Sequence, residues 1–371
     1  MNRRTLFRSA LVLPAALVRA TAANSAPTVG LIGAGERGSF VAGLIARHTP
    51  ARIVALCDVV EGKAAKTAAA IGAGAAHLYD DYRRLLASDV DAVVIATPVF
   101  LHAEHFEAAV RAGKHIYIEK PAAADIEGCK RIMRVADGAD RRLHITFGFQ
   151  RRYGQLYLKA HQLVSTGSIG EIQHAHAHFI KSGGAAANAG KLPPSSSQRD
   201  KVANWHAFKE LSGDLIVENN VHSIDVLNWF IGKRPVSAVG SGGATRLSRG
   251  DMRDHNFVAF EYAGGIQAQL SGTTLAPPGY RHVVEQFFGT RGMIETSENH
   301  FRHFRAPGQE TVEKAPRSIA VDSVADFITR ITEKRPENHG VRGAESTLTA
   351  ILGRMAMDRR GEVTWEEMMR G

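Results

Sequence analysis

The chain has 371 residues, of which 44% are apolar and 22% charged, and it is long enough for two domains with separate cores. The formal net charge is +9, but the positive residues form no continuous basic run, so a nucleic-acid-binding surface is not expected. Two cysteines, Cys57 and Cys129, cannot form a disulfide framework and are not part of a C-x-x-C pair.

The N-terminal residues have the pattern of an export signal. The paired Arg3-Arg4 precede a short apolar run at 10–18 and small residues at 20–22, as in signal peptides of the twin-arginine type. We expect residues 1–26 to be a signal peptide and the protein to be periplasmic or otherwise exported. The alternative is a basic extension on a cytoplasmic enzyme. The apolar run is too short to span a bilayer, and no later segment is predicted to be transmembrane.

Strand and helix signals alternate over 27–149, which predicts a doubly wound, parallel Rossmann sheet. The first strand runs into a G-x-G-x-x-G turn that opens a helix over 37–48. In such a turn the first two glycines let the backbone approach a pyrophosphate, and the third permits close helix–strand packing. The residues of this turn are therefore predicted to bind a dinucleotide: Gly33, Gly35, Glu36, Arg37 and Gly38.

The second predicted strand ends at Asp58. An acidic residue at this position can accept hydrogen bonds from the adenosine ribose and repel a 2′-phosphate, so NAD is favoured over NADP. Arg37 in the turn weakens that preference. Because an exported enzyme works where free NAD is scarce, the cofactor is also expected to be tightly bound.

Two later strand ends supply further candidates. The strand over 92–96 ends in Thr97-Pro98, which is expected to border the nicotinamide half of the cofactor. His102 either contacts the cofactor or simply begins the helix over 101–112. The strand that starts at His115 ends in Glu119 and Lys120, and this lysine would bring a positive charge near the reactive ring.

Segments 94–98, 119–121 and 148–152, together with His102, resemble the Gfo/Idh/MocA family, which includes glucose–fructose oxidoreductase and inositol dehydrogenase. The resemblance covers the chain after the signal segment. It implies that residues 150–371 form an α+β domain for substrate binding and oligomerisation. In that domain a large, mostly antiparallel sheet keeps one open face, through which a homodimer or homotetramer is expected to form.

The helix predicted over 213–230 carries a second catalytic signal. Glu218 and His222 are four positions apart and would share one helix face, and Asp225 lies three positions further. A histidine near a carboxylate can transfer a proton near neutral pH, although the pattern alone is weak. The family motif on this helix is Asp-x-x-x-His with the histidine as acid/base. His222 matches it, and Glu218 stands where many members have Asp.

The resemblance thus implies that Lys120, His222 and Glu218 are catalytic. Arg151 and Trp205 are expected to contact the substrate with them. For Trp205, stacking on a sugar and anchoring a loop are equally open. The Gly-, Ser- and Pro-rich stretch 182–204 is predicted to be a long loop.

Three histidines alternate along one predicted strand and share one face: His174, His176 and His178. Such a face could bind zinc, but a polar outer face is favoured, and no metal site is predicted.

These features predict an NAD-dependent oxidoreductase that acts on a hydroxyl of a sugar, polyol or glycoside. One alternative is a redox-neutral NAD-dependent glycoside hydrolase or lyase working through a transient keto-sugar. A non-catalytic nucleotide-dependent regulator is disfavoured, because both Lys120 and His222 are present.

Overall fold

The computed structural model describes residues 26–183, 197–244 and 250–370. All but the last residue of the predicted signal peptide therefore lies outside the described residues. Within the described ranges, no helix is both long enough and apolar enough to cross a membrane.

The first sheet consists of six parallel strands in the order β3-β2-β1-β4-β5-β6, which confirms the predicted doubly wound architecture. Its strands are β1 Thr28–Ile32, β2 Arg52–Cys57, β3 His77–Tyr79, β4 Ala92–Ile95, β5 His115–Ile118 and β6 Ile145–Phe147. The helices between them are α1 Glu36–His48, α2 Lys63–Ala70, α3 Tyr82–Leu86, α4 His102–Arg111 and α5 Ile126–Asp137. β1, β4 and β5 are almost entirely buried, as expected for a sheet covered on both faces.

The second sheet has nine strands in the order β14-β13-β12-β11-β7-β10-β9-β8-β15, and only the β7–β10 pair is parallel. Its strands are β7 Ile172–Lys181, β8 Pro235–Gly243, β9 His255–Tyr262, β10 Ile266–Thr273, β11 Arg281–Gly289, β12 Gly292–Thr296, β13 His300–Phe304, β14 Glu310–Lys314 and β15 Val363–Thr364. The predicted, largely antiparallel second sheet is confirmed. β13, β14 and β15 were not expected from the sequence.

Side chains along the strands of the second sheet alternate between buried and exposed. Helices cover the buried face, and the exposed face is open. The helices are α6 Gln155–Ser165, α7 Gln198–Ala203, α8 Lys209–Ser212, α9 Leu215–Glu218, α10 Val221–Ile231, α11 Ile319–Thr332, α12 Gly340–Arg359 and α13 Trp365–Arg370. The loop predicted over 182–204 contains α7, so that prediction is wrong at its C-terminal end. Residues 184–196 of the same stretch lie outside the described residues.

Helix α11 returns the chain to the first sheet, although it follows the second sheet in sequence. Phe327 packs edge-on against Tyr117 of β5 with ring centroids 5.6 Å apart, and the Tyr117 hydroxyl lies 3.2 Å from Ser323 Oγ. The two domains are therefore built from interleaved parts of the chain.

Candidate active site

The glycine turn joins β1 to α1 in the form that the motif predicts. Gly33 has φ +93°, and a Cβ there would lie 2.7 Å from the Ala96 backbone. A Cβ on Gly38 would lie 1.9 Å from the Gly33 carbonyl oxygen. A Cβ on Gly35, by contrast, would meet no atom within 4 Å, and α1 has no side-chain cap. This helix start leaves open backbone N–H groups, the arrangement that suits a pyrophosphate.

Asp58 lies beside the glycine turn at the end of β2. Its carboxylate accepts hydrogen bonds from the backbone N–H groups of Ala34 and Val60, each at 2.9 Å. These bonds fix the carboxylate at the edge of the turn, and the residue remains partly exposed.

Glu119 connects the glycine turn to the end of β5. Its carboxylate is buried and accepts from Arg37 Nε at 2.8 Å, so the guanidinium of Arg37 is held by a carboxylate. Burial lowers the pKa of Arg37, but Glu119, with smaller effects of Tyr117 and Glu218, reverses this and the net change is upward. Gly148 makes room for this pair, since a Cβ there would lie 2.7 Å from Glu119 Oε2. The exposed Glu36 precedes Arg37 at the first position of α1.

Thr97 and Pro98 follow β4 and are half-buried, with Thr97 Oγ1 3.0 Å from His105 Nδ1. His102 is fully enclosed behind them. Its ring nitrogens lie 2.9 Å from the Thr97 carbonyl oxygen and 2.7 Å from the Pro121 carbonyl oxygen. His102 therefore links the ends of β4 and β5 from a buried position at the start of α4.

Lys120 and Glu218 form the central pair of the site. Lys120 Nζ donates to the backbone carbonyl of Glu218 and lies 3.3 Å from Glu218 Oε1. Both side chains are partly exposed, at 13% and 19%. Burial raises the pKa of the Glu218 carboxyl, but Lys120 and Lys181 together outweigh that effect and hold it below its ordinary value.

The predicted single helix over 213–230 is broken into α9 and α10 at Asn219-Asn220, so Glu218 and His222 do not share one helix face. The fully buried Asn220 accepts a hydrogen bond from Asn256 Nδ2 at 2.7 Å. Because the helix ends at Glu218, the carbonyl of this residue is free to accept from Lys120. The break thus supplies one of the two contacts that hold the lysine.

His222 lies half-buried near the start of α10, and its ring stands perpendicular to Phe149 with centroids 6.3 Å apart. Burial lowers the pKa of the imidazole well below its ordinary value, and the positive charges of Lys120 and Arg151 add to this effect. A neutral imidazole beside a lysine can accept a proton near neutral pH.

Arg151 was expected to contact substrate, but the structure buries it in the second domain. Its guanidinium donates to Glu285 Oε1 at 2.7 Å and to Ser223 Oγ at 2.9 Å, and the side chain is 2% exposed. Asp225 is buried in the same way and accepts from Arg152 Nε at 2.8 Å. Both residues therefore have internal partners.

Trp205 lies half-buried in a short 3₁₀ turn and packs against a small apolar cluster formed by Ala207, Phe208 and Leu211. This packing anchors the turn, as one of the two interpretations of the sequence proposed. The exposed part of the ring leaves a sugar contact open.

Two residues of the site were not recognised as candidates from the sequence. Lys181 ends β7, and His206 follows Trp205; both lower the pKa of the Glu218 carboxyl through their charge. For Lys181 a signal was present, since it is a lysine at the end of a predicted strand, as Lys120 is.

The histidines of β7 alternate with buried Ala175, Ala177 and Phe179, as predicted. His174 Nε2 and His176 Nε2 lie 2.5 Å apart. Among the described residues, no three His, Cys, Asp or Glu side chains are grouped as metal ligands. Cys57 and Cys129 are buried thiols, and burial raises the pKa of Cys57 to about 12.

The parallel sheet, its glycine turn and the lysine at the β5 strand end define a dinucleotide-dependent oxidoreductase. A family model described as an oxidoreductase family with an NAD-binding Rossmann fold matches residues 28–147. A model of the GFO/IDH/MocA C-terminal domain matches residues 157–295. The chain belongs to the Gfo/Idh/MocA family and is an NAD-dependent oxidoreductase.

Curated relatives agree with this assignment. Inositol 2-dehydrogenase 3 of Saccharopolyspora erythraea is 32% identical over 254 residues, which are 68% of this chain and 68% of that protein. Inositol 2-dehydrogenase 2 of the same organism is 30% identical over 268 residues, 72% of each chain.

Solved structures share the fold. Myo-inositol 2-dehydrogenase from Lactobacillus plantarum has a TM-score of 0.73 at 22% identity, with 91% of this chain and 99% of that chain covered. Levoglucosan dehydrogenase in complex with NADH and levoglucosan has a TM-score of 0.76 at 19% identity, with 91% and 99% covered.

Proposed function

We propose that this protein is a dehydrogenase that oxidises a secondary hydroxyl of a cyclic polyol or sugar. The observation that carries the proposal is the placement of Lys120, which is held by both the carbonyl and the carboxylate of Glu218 at the carboxyl edge of the first sheet. The relatives named above act on inositol or levoglucosan, which are ring compounds with several hydroxyl groups.

Lys120, Glu218 and His222 line the proposed substrate cleft, and each has its own role in the proton transfer. His222 accepts the proton of the substrate hydroxyl, because its lowered pKa keeps the imidazole neutral at pH 7. Lys120 donates a hydrogen bond to the same oxygen as negative charge develops on it. Glu218 orients the ammonium of Lys120 and can accept a hydrogen bond from a neighbouring hydroxyl.

The NAD site that we propose uses the residues around the open helix start. The turn from Gly33 to Gly38 would hold the pyrophosphate, Asp58 the adenosine ribose, and Thr97 with Pro98 the nicotinamide half. When bound, NAD supplies the hydride acceptor. Arg37 is held by Glu119, which leaves Asp58 as the charged group that sets the preference for NAD.

The decisive experiment measures turnover of the purified protein on a panel of inositols, hexoses and anhydrosugars, by the near-ultraviolet absorbance of reduced nicotinamide. We expect net reduction of NAD with at least one cyclic polyol or sugar. Absence of reduction across the panel, with NAD bound, would contradict the proposal. Cleavage of a glycoside without net reduction would instead favour the hydrolase alternative, which the relatives named above do not support.

We also infer that the protein is exported and retains its cofactor. Support comes from the Arg3-Arg4 pair and the apolar run that follows it, residues that lie outside the described ranges. A fusion of residues 1–26 to a reporter should reach the periplasm, and replacing both arginines with lysine should keep the reporter in the cytoplasm. Protein purified from the periplasm should carry NAD through gel filtration.

We infer further that the open face of the second sheet forms an interface between copies of the chain. Strands β8 and β9 of this sheet expose the large apolar side chains Val236, Val239 and Phe257, and apolar side chains grouped on a surface mark protein–protein contacts. Light scattering should give the mass of a dimer or tetramer, and Phe257→Asp should shift it toward the monomer. A monomeric wild type would contradict this inference.

A further inference from the structure

Lys181 is a second lysine of the cleft, and the family motif does not account for it. It is the last residue of β7, it pairs in register with Arg281 of β11, and it is half-buried. Its ammonium lies 5.1 Å from the centre of the Phe179 ring, which the Arg151 guanidinium also approaches, at 5.8 Å. Glu218 raises the pKa of Lys181 while Lys120 lowers it, so all three side chains lie within electrostatic reach of one another.

The charges around Lys181 do not balance. The other cations near it have carboxylate partners: Lys120 with Glu218, Arg151 with Glu285 and Arg281 with Glu298. Within the described part of the chain, the ammonium of Lys181 makes no hydrogen bond or ion pair of its own. Burial accordingly is the largest effect on its pKa, and it lowers it. A half-buried ammonium that contacts an aromatic ring but has no carboxylate partner is costly, so this position favours a ligand that brings a negative charge.

From this excess charge we infer that the substrate carries a carboxylate, and that Lys181 binds it. The charge selects the chemical class: one unpaired cation matches the single charge of a carboxylate, whereas a phosphate with nearly two charges would need a further cation. The inference rests on the proposed function and narrows it to sugar acids such as uronides. Inositol and levoglucosan, named for the relatives, are neutral.

The experiment compares matched ligands that differ only in a carboxylate for a hydroxymethyl group. Methyl glucuronide and methyl glucoside form one such pair, and the galacto and manno series supply two more. Turnover of the NAD-loaded protein and calorimetric binding are measured for each pair. We expect the acid to exceed its neutral partner by at least about tenfold in kcat/KM and in affinity in one series, the size expected of one charged hydrogen bond. Equal values in every series, or no binding of any acid, would overturn the inference.

Variants of Lys181 assign the effect to this side chain. Lys181→Met should abolish the preference for the acid, and Lys181→Arg should keep most of it. Lys233→Met is the matched control, since Lys233 is exposed and bonded only to the Ala263 carbonyl. The ratio of kcat/KM for the acid to kcat/KM for its neutral partner is unaffected by any change that the variant causes at His222, because both substrates depend on His222 in the same way. A loss that is equal for both substrates would therefore overturn the inference.

The two proposals fail in different ways. Acid binding that depends on Lys181 without any reduction of NAD would contradict the dehydrogenase and support the carboxylate site. Oxidation of the neutral partners with no dependence on Lys181 would support the dehydrogenase and contradict the carboxylate site.

Discussion

Two ion pairs of this molecule each join a basic side chain to a glutamate, a lysine in one and an arginine in the other, but they differ in exposure to solvent. Lys120 and Glu218 remain 13% and 19% exposed, while Arg151 and Glu285 are 2% and 0% exposed. We call Arg151–Glu285 the sealed pair and Lys120–Glu218 the open pair. In the sealed pair, one carboxylate oxygen of Glu285 accepts hydrogen bonds from Arg151 and Ser223, and the other accepts from Tyr157 and Thr296.

This difference separates a structural pair from a site that can work on a ligand. Glu285 is saturated with donors, so it has no capacity left for a ligand. Lys120 has a third donor position beyond its two contacts with Glu218, and its side chain is partly exposed. Saturation of the carboxylate and solvent access therefore distinguish the two pairs better than charge does, since Arg151 Nε and Nη2 themselves lack a hydrogen-bond partner.

The largest effect is expected at the sealed pair. Glu285→Ala leaves the Arg151 guanidinium buried without its main partner and should lower the free energy of unfolding by about 3–5 kcal/mol, measured by denaturant titration. Glu313→Ala removes one side of the exposed pair with Lys159 and should cost less than about 1 kcal/mol. Similar losses in the two variants would show that burial does not distinguish these pairs.

At the open pair the loss should appear in turnover. Lys120→Met removes the donor to the developing oxyanion and should lower kcat by about two to three orders of magnitude, with the melting temperature and NAD affinity nearly unchanged. Measuring kcat, NAD binding by fluorescence and thermal unfolding on one preparation separates an effect on catalysis from effects on cofactor binding and on stability. Near-full turnover in this variant would remove Lys120 from the catalytic step.

The contrast between a structural position and a ligand-binding position can also be tested in the glycine turn. Gly38→Ala places a methyl group against the Gly33 carbonyl and should destabilise the NAD-free protein by about 1–3 kcal/mol. Gly35→Ala meets no protein atom, so it should leave the melting temperature unchanged while weakening NAD about tenfold. An unaltered NAD affinity in Gly35→Ala would argue against the pyrophosphate site.

The smallest effect concerns the pH profile. A neutral His222 is required as base, so kcat/KM should be flat near pH 7 and fall only as the pH drops through the His222 pKa, which lies below its ordinary value of about 6.5. Removing a cation from the cleft raises that pKa, so the acid limb of Lys181→Met should move to higher pH by less than about one unit. A shift in the opposite direction would contradict the electrostatic argument.

Much of the first domain could be predicted from the sequence, because its signals are local. Each buried strand of the parallel sheet is largely an apolar run; the glycine turn directly follows one such run, and Lys120 comes two residues after the end of another. The assignment of NAD followed from the same local features.

Other features depend on contacts between distant residues. The break at Asn219-Asn220 is stabilised by Asn256, 36 positions away, so the local pattern still favoured one continuous helix. β13 and β14 carry charged residues such as Arg302 and Glu313, and their alternation is too short to stand out. The burial of Arg151 depends on Glu285, which lies 134 positions later.

The return of α11 to the first sheet has a consequence for synthesis. Tyr117 is covered by Phe327, so a nascent chain cannot complete its nucleotide-binding half until α11 has left the ribosome. A product truncated before residue 319 would expose the apolar surface that α11 covers, and chaperones or proteases recognise such surfaces. Only nearly full-length chains would thus offer a finished cleft, which ties cofactor loading to the end of translation.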